Sequence, residues 1–239
     1  MERHATAEDR RFILDNINER LDLEKPLTAE DIVAERCGVR PLVIEADRRD
    51  TKADWVQLSR RHVIEVVGHV LTIFGGKLTD CLNVGDEICE HVQRLGIGVP
   101  FSDRPYYGEP SDAVRDEFFH QARRMKLDDM TSPSSSELLS TRLWRRYGAE
   151  ASVLLESIRQ DPRNAELLIE NAEYIRCEIE QAARREMVTK LDDFLRRRSK
   201  IALVVSREKL RDAAGLREAC GILFGDQAEA KLEEYFASE

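Results

Sequence analysis

Two arginines, a lysine and a pair of glycines are the residues of this chain whose types and spacing suit a binding chemistry. Arg40 stands in "CGVRPLV", Arg60 in "LSRRHVIEV", and Gly75-Gly76-Lys77-Leu78-Thr79 follows an apolar run in "TIFGGKLTD". A guanidinium grips a phosphate or carboxylate with two parallel hydrogen bonds, which an ammonium cannot do. Glycine, lacking Cβ and tolerating positive φ, lets backbone come close to a ligand. A helix beginning just after such a turn offers unpaired N–H groups and a partial positive charge. Lys77 would add a full charge there and Thr79 a hydroxyl. If the extended segments around Arg40 and Arg60 are neighbours in one sheet, the three cations converge on one anion. The plainer alternative is that each arginine pairs with a surface carboxylate and the glycines only turn the chain.

The positioning elements can be read from local pattern. "RHVIEVVGHVLTIF" is a β-hairpin, with Gly68-His69 as a two-residue loop of type II′. A helix follows in "KLTDCLNVGDEICEHVQRL", where Leu78, Leu82, Ile88 and Val92 lie near helical spacing. Upstream, Thr6-x-x-Asp9 caps a helix carrying Phe12, Ile13, Ile17 and Leu21 on one face. In "KPLTAEDIVAERCGVRPLVIEAD" a strand, a turn at Gly38 and further extended chain fit better than a helix capped by Thr28 and Asp31. Residues 97–136 read as a connector that contains one helix, "AVRDEFFHQARRM". Ser134-x-x-Glu137 then caps the start of an all-helical region over 137–239. Within it "AELLIENAEYI", "CEIEQAARREMVTKLDDFLRRR" and "REKLRDAAGLREACGILFG" each have helical periodicity; the second carries a buried stripe of Ile179, Ala183, Met187, Leu191 and Phe194 or Leu195. The expected fold class is α+β and mostly α. Its parts are a segment with strands, hairpin and Gly-Gly-Lys helix at 1–96, the connector, and the helical domain.

Composition narrows the function. Lys plus Arg is 37 against 46 for Asp plus Glu, a net charge of −9 that gives no general attraction to nucleic acid. Five cysteines without a C-x-x-C pair, and five histidines without H-x-x-x-H spacing, argue against structural zinc and for reduced thiols in a cytosolic setting. No apolar window is long enough to span a membrane, and "MERHATAEDRR" has no apolar core of a secretion signal. Peripheral attachment stays open: "RREMVTKLDDFLRRRSK", at 184–200, has seven basic residues against three acids. A solvated face laced with intrahelical ion pairs is the favoured reading of that run, contact with anionic lipid the other.

Taken together, "DIVAERCGVRPLV", "LSRRHVIEVVGHVLTIFGGKLTD", "RYG" and "EMVTKLDDFLRRRSK" resemble, in order and spacing, the C-terminal part of FAD-dependent glycerol-3-phosphate dehydrogenases, flavoproteins of the D-amino-acid-oxidase type. The resemblance implies a Rossmann FAD domain, a sheet-built substrate cap and a helical C-terminal domain. It implies oxidation of glycerol 3-phosphate to dihydroxyacetone phosphate, with electrons passing to a quinone, in a cytoplasmic enzyme whose peripheral site would be the inner face of the cell membrane. Carried over by position, Arg40 and Arg60 would bind substrate, Arg60 at its phosphate, while Gly75, Gly76, Lys77, Leu78 and Thr79 would contact FAD. No catalytic residue and no metal ligand is carried over. His62 falls where the family often has an aromatic residue or histidine, and a ring packed on the sheet is its favoured role.

Two departures matter. The family commonly continues G-G-K-L-T with Thr-Tyr-Arg, where this chain has Asp80-Cys81-Leu82. None of the twelve glycines forms G-x-G-x-x-G after a strand, so the fingerprint for the FAD pyrophosphate is missing. The expectation is a C-terminal piece that holds FAD weakly or not at all and is inactive without an N-terminal FAD domain, with a homo-oligomer as the other way to complete it. A stand-alone helical binding module without redox activity is the alternative.

Overall fold

The computed structural model describes residues 5–38, 62–100, 110–169 and 172–237. They divide between two compact units, one within Cys37–Gly108 and one combining His4–Arg36 with Glu109–Glu239.

The first unit holds β1 (Val63–Val67), β2 (Val70–Phe74) and α2 (Cys81–Arg94). The strands pair antiparallel from Val63↔Phe74 to Val67↔Val70. Gly68 opens the intervening loop at φ 61° while His69 keeps a negative φ, the combination of the expected type II′ turn. Val63, Val67, Val70 and Phe74 share one face of this ribbon and are all exposed. Beyond β2 the chain turns through Gly75 and Gly76, at φ 69° and 93°. One 3₁₀ turn, Leu78–Asp80, then leads into α2.

The second unit is helical. Its first helix, α1 (Ala7–Arg20), starts at the expected capping box: the Asp9 amide donates to Thr6 Oγ1 at 3.1 Å and the Thr6 amide to Asp9 Oδ2 at 2.9 Å. Thr28 and Asp31 form a similar box, but it closes only a single 3₁₀ turn, Ala29–Asp31. The strand expected before Gly38 is absent from its described part, 32–38. Arg10 instead pairs with Glu35, and Arg196 donates to the Glu35 carbonyl at 3.1 Å, tying this segment to the helices that follow.

Those are α3 (Asp112–Arg124), α4 (Leu139–Tyr147), α5 (Ala151–Gln160), α6 (Arg176–Arg185), α7 (Arg207–Asp212), α8 (Ala214–Phe224) and α9 (Ala228–Ala237). They enclose two apolar cores. Phe118 and Ala122 of α3 join Leu143, Leu155 and Ile158 in the first; Ile169, Phe194, Leu195 and Leu216 lie in the second. Helix α6 serves both, Cys177 facing the first and Ile179 and Ala182 the second. The α+β, mostly helical class read from the pattern is the class observed.

Three further local expectations are corrected in this unit. Helix α4 is not capped by Ser134 and Glu137. Its first amides, on Leu139 and Ser140, donate to Thr131 Oγ1 at 3.0 Å and Asp128 Oδ1 at 2.9 Å, groups of the preceding 3₁₀ turn and the residue just after it. Asp128→Ala should therefore destabilise the unit by about 1–2 kcal/mol, as loss of a helix cap does, measured by urea unfolding. The segment "AELLIENAEYI" is not helical where described: a 3₁₀ turn, Pro162–Ala165, is followed by an isolated bridge between Leu167 and Ile175.

The third concerns the long helix expected from Cys177 onward, which stops at Arg185. Met187 sits at φ 52° and is 85% exposed, so the apolar stripe is cut in its middle. A new helical segment starts after Thr189, where Asp193 Oδ2 accepts from the Thr189 and Lys190 amides, and winds as a π-helix over Asp193–Arg198. The basic run here is largely engaged in ion pairs, with Arg184 on Glu180, Lys190 on Glu234 and Arg197 on both Asp192 and Asp193. Among the described residues no helix is long and apolar enough to cross a membrane.

Candidate functional site

The Gly-Gly-Lys turn of the first unit is the one sequence-derived site within the described residues; Arg40 and Arg60 lie outside them. Gly75 and Gly76 both adopt left-handed backbone, which a side chain would strain. A Cβ on Gly76 would also lie 3.2 Å from the Cβ of His62, tighter than ordinary packing. Lys77 is exposed at the head of the 3₁₀ turn, and Leu78 is 90% exposed, an apolar side chain held out from the fold. The turn thus presents close-approach backbone, an apolar side chain and a cation together. That set suits the edge of a planar apolar ring system carrying polar substituents, as a flavin does.

Next to it lies a cleft of about 590 Å³ lined by His62, Asp80, Asn83, Asp86 and Glu87. The His62 side chain is 10% exposed, with Nδ1 3.3 Å from Asp80 Oδ2 and Nε2 3.0 Å from Glu87 Oε2. Glu87 first, and Asp80 behind it, hold the imidazole pKa above its ordinary value, against the opposing effect of burial. Asn83 donates to Asp80 Oδ1 at 2.6 Å and, with the His62 contact, keeps that carboxyl below the usual range. Asp80 at the head of α2, with Asp86 and Glu87 in its second turn, thus makes an acidic wall beside the histidine. Among the described residues no group of His, Cys, Asp and Glu is arranged to hold a metal ion.

The second unit contains a buried polar cluster that sequence reasoning missed. Glu178 in α6 is fully buried. Its Oε2 accepts from the Ile175 amide at 3.0 Å, capping α6, and its Oε1 accepts from Arg146 Nη1 at 2.7 Å. Arg142, 2% exposed, brings Nη2 to 3.8 Å from Glu178 Oε2 and donates from Nη1 to Ser135 Oγ at 3.4 Å, while its Nε has no hydrogen-bond partner among the described residues. Arg146 stacks over Tyr174 at 4.0 Å from the ring centre and donates to the Glu173 carbonyl at 2.6 Å. Burial pushes the Cys177 thiol up to about 12, so it is inert as a nucleophile at neutral pH. A signal for the cluster does exist in sequence. Arg142 and Arg146 are four apart in "TRLWRRY", and Glu178 stands three residues after Ile175, at the acidic position of a helix start.

Residues 112–220 match the C-terminal domain of alpha-glycerophosphate oxidase. Over a longer stretch the chain is similar to an aerobic glycerol-3-phosphate dehydrogenase of Staphylococcus aureus, 29% identical over 203 residues, which are 82% of this chain and 35% of the relative. It is 26% identical to glycerol-3-phosphate dehydrogenase 1 of Mycobacterium bovis, with 89% of this chain and 38% of the relative covered. The glycerol-3-phosphate dehydrogenase of a Synechocystis species is 24% identical over 222 residues, 87% of this chain and 38% of the relative. The chain thus spans little more than a third of the length of the curated relatives it matches.

Proposed function

We propose, from the likeness of this chain to the C-terminal part of the FAD-dependent glycerol-3-phosphate dehydrogenases, that it takes part in the oxidation of glycerol 3-phosphate to dihydroxyacetone phosphate. The observation that carries this reading is the left-handed Gly75-Gly76 turn presenting Lys77 and Leu78, in a chain similar to these enzymes over most of its length. Gly75, Gly76, Lys77, Leu78 and Thr79 are assigned to contact with FAD. When bound, FAD supplies the two-electron acceptor for the carbinol C–H of the substrate. Arg40 and Arg60 are assigned to the substrate, whose phosphate needs paired charged donors to fix which carbon faces the ring. Lys77 would add positive charge beside the bound group, which favours its accepting electrons. A quinone takes those electrons, in a cytoplasmic enzyme peripherally attached to the inner face of the membrane.

The fit to FAD is partial. The turn suits the ring system and its adjoining chain, but these 239 residues hold no pyrophosphate fingerprint. That element has to be supplied from outside them, and the chain by itself should be inactive. The test is to mix it with the N-terminal part of a similar dehydrogenase and assay glycerol 3-phosphate oxidation with a dye acceptor. Retained flavin and dye reduction are expected only in the mixture. Arg40→Ala or Arg60→Ala should then weaken substrate binding roughly ten- to hundredfold, matching about 1.5–3 kcal/mol for a charged hydrogen bond. No flavin and no turnover in the mixture would favour the helical binding module instead.

A further inference from the structure

We propose that His62 is a positioning residue whose ring clasps the foot of β1 to the first two turns of α2 and so fixes the Gly75–Thr79 turn between them. The proposal rests on the flavin reading only for what the turn holds, not for the clasp itself.

The geometry is that of a closed loop with three fastenings. His62 immediately precedes β1, and Phe74, the last residue of β2, pairs with Val63 beside it. The glycine turn therefore leaves the ribbon next to His62, and Gly76 packs so near that even a methyl group would crowd the histidine Cβ. At its other end the turn runs into α2, which needs ties to the ribbon if the turn is to be fixed at both ends. The ring supplies them, Nδ1 reaching Asp80 at the head of α2 and Nε2 reaching Glu87 nearly two turns on. Both partners are carboxylates, which when ionised only accept hydrogen bonds, and a neutral imidazole donates from one nitrogen only. Both contacts can be hydrogen bonds at once only if the ring is cationic.

The charged groups around the ring favour that state. Asp80 and Glu87 touch it and Asp86 lines the same cleft, while the positive charge of Lys77, which is felt by Asp80, works against the cationic form. Since binding raises the histidine pKa, the clasp is fully made below the ordinary histidine value and is lost as pH rises through the raised one. A ring that merely filled space would hold the turn equally at every pH.

The test uses the chain alone, labelled with ¹⁵N, and follows the imidazole nitrogens and the amides of Gly75, Gly76 and Lys77 through a pH titration. His62 is expected to titrate above the ordinary value of about 6.5, and the three amides to shift with the same midpoint. Glu87→Gln should move that midpoint down, and Asp80→Asn should do so less. His62→Gln, neutral throughout, should abolish the pH response at the turn while the hairpin amides stay protected. Should that variant fail to fold, the two carboxamide variants carry the test. An ordinary midpoint, a midpoint indifferent to Glu87→Gln, or turn amides that ignore His62 would overturn the clasp. Because no flavin is present, failed complementation overturns the flavin reading and not the clasp, and a flat titration does the reverse.

Discussion

Gly215→Ala is expected to cost the helical unit at least about 3 kcal/mol, enough to leave much of it unfolded or insoluble at physiological temperature. Gly215 lies in the first turn of α8, where a Cβ would stand 1.4 Å from the Leu168 carbonyl oxygen and 2.4 Å from its carbon. Both are backbone atoms, so no side-chain rotation can relieve the clash. Either α8 moves, pulling fully buried Leu216 from the core, or the 165–169 segment moves and takes Ile169 with it. Each route adds a cavity to the overpacking cost. Gly221, in the same helix, has nothing within 4 Å of the Cβ it lacks. Gly221→Ala should be neutral or stabilise by up to about 1 kcal/mol, since alanine is the better helix former. Equal melting of the two variants would refute the contact.

The same contact explains why residues 165–175 have a helical pattern but no helix where described. Ala165, Ile169, Ala172 and Ile175 are buried at spacings of four, three and three, a helical period in all but conformation. What decides against a helix lies elsewhere in the chain. The missing side chain at Gly215 admits Leu168 backbone, and Ser135 and Ser136 bond the Glu173 carboxylate. Periodicity reports which residues are inside, and it did so correctly here. It cannot report a fit that depends on residues forty positions away.

Where local chemistry alone determines the conformation, the residue pattern and the structure agree. The loop at Gly68-His69 needs only one positive φ between two β-branched runs, and the Thr6 box needs only two side chains three apart. The break at Met187 was also written locally, in Thr189 and Asp193, but the apolar stripe running through it masked the restart. As for the site, the glycine turn was legible because positive φ has a residue signature. The contacts His62 makes to Asp80 and Glu87 were not, since they join positions 18 and 25 apart whose meeting depends on how the hairpin returns to α2.

Glu178→Gln should destabilise the helical unit by about 3–5 kcal/mol, read from urea unfolding with an unchanged slope. The shape of the side chain is kept, so packing is not the cause. What is lost is the carboxylate that, among the described residues, stands within ion-pair distance of Arg142, a cation with 2% exposure that also donates to the Ser135 hydroxyl and whose Nε has no hydrogen-bond partner among them. The penalty is that of a buried charge left without its counter-ion, which exceeds the net worth of the pair that was broken. The corollary discriminates this account from one based on shape. Arg142→Met should recover part of the loss when added to Glu178→Gln, because it removes the stranded cation while keeping an unbranched apolar stem in place. Recovery cannot be complete, since Arg146 also depends on Glu178 at 2.7 Å and the Ile175 amide still needs an acceptor. If the two substitutions instead add, the cluster contributes through packing and its charges do not govern how α4 meets α6.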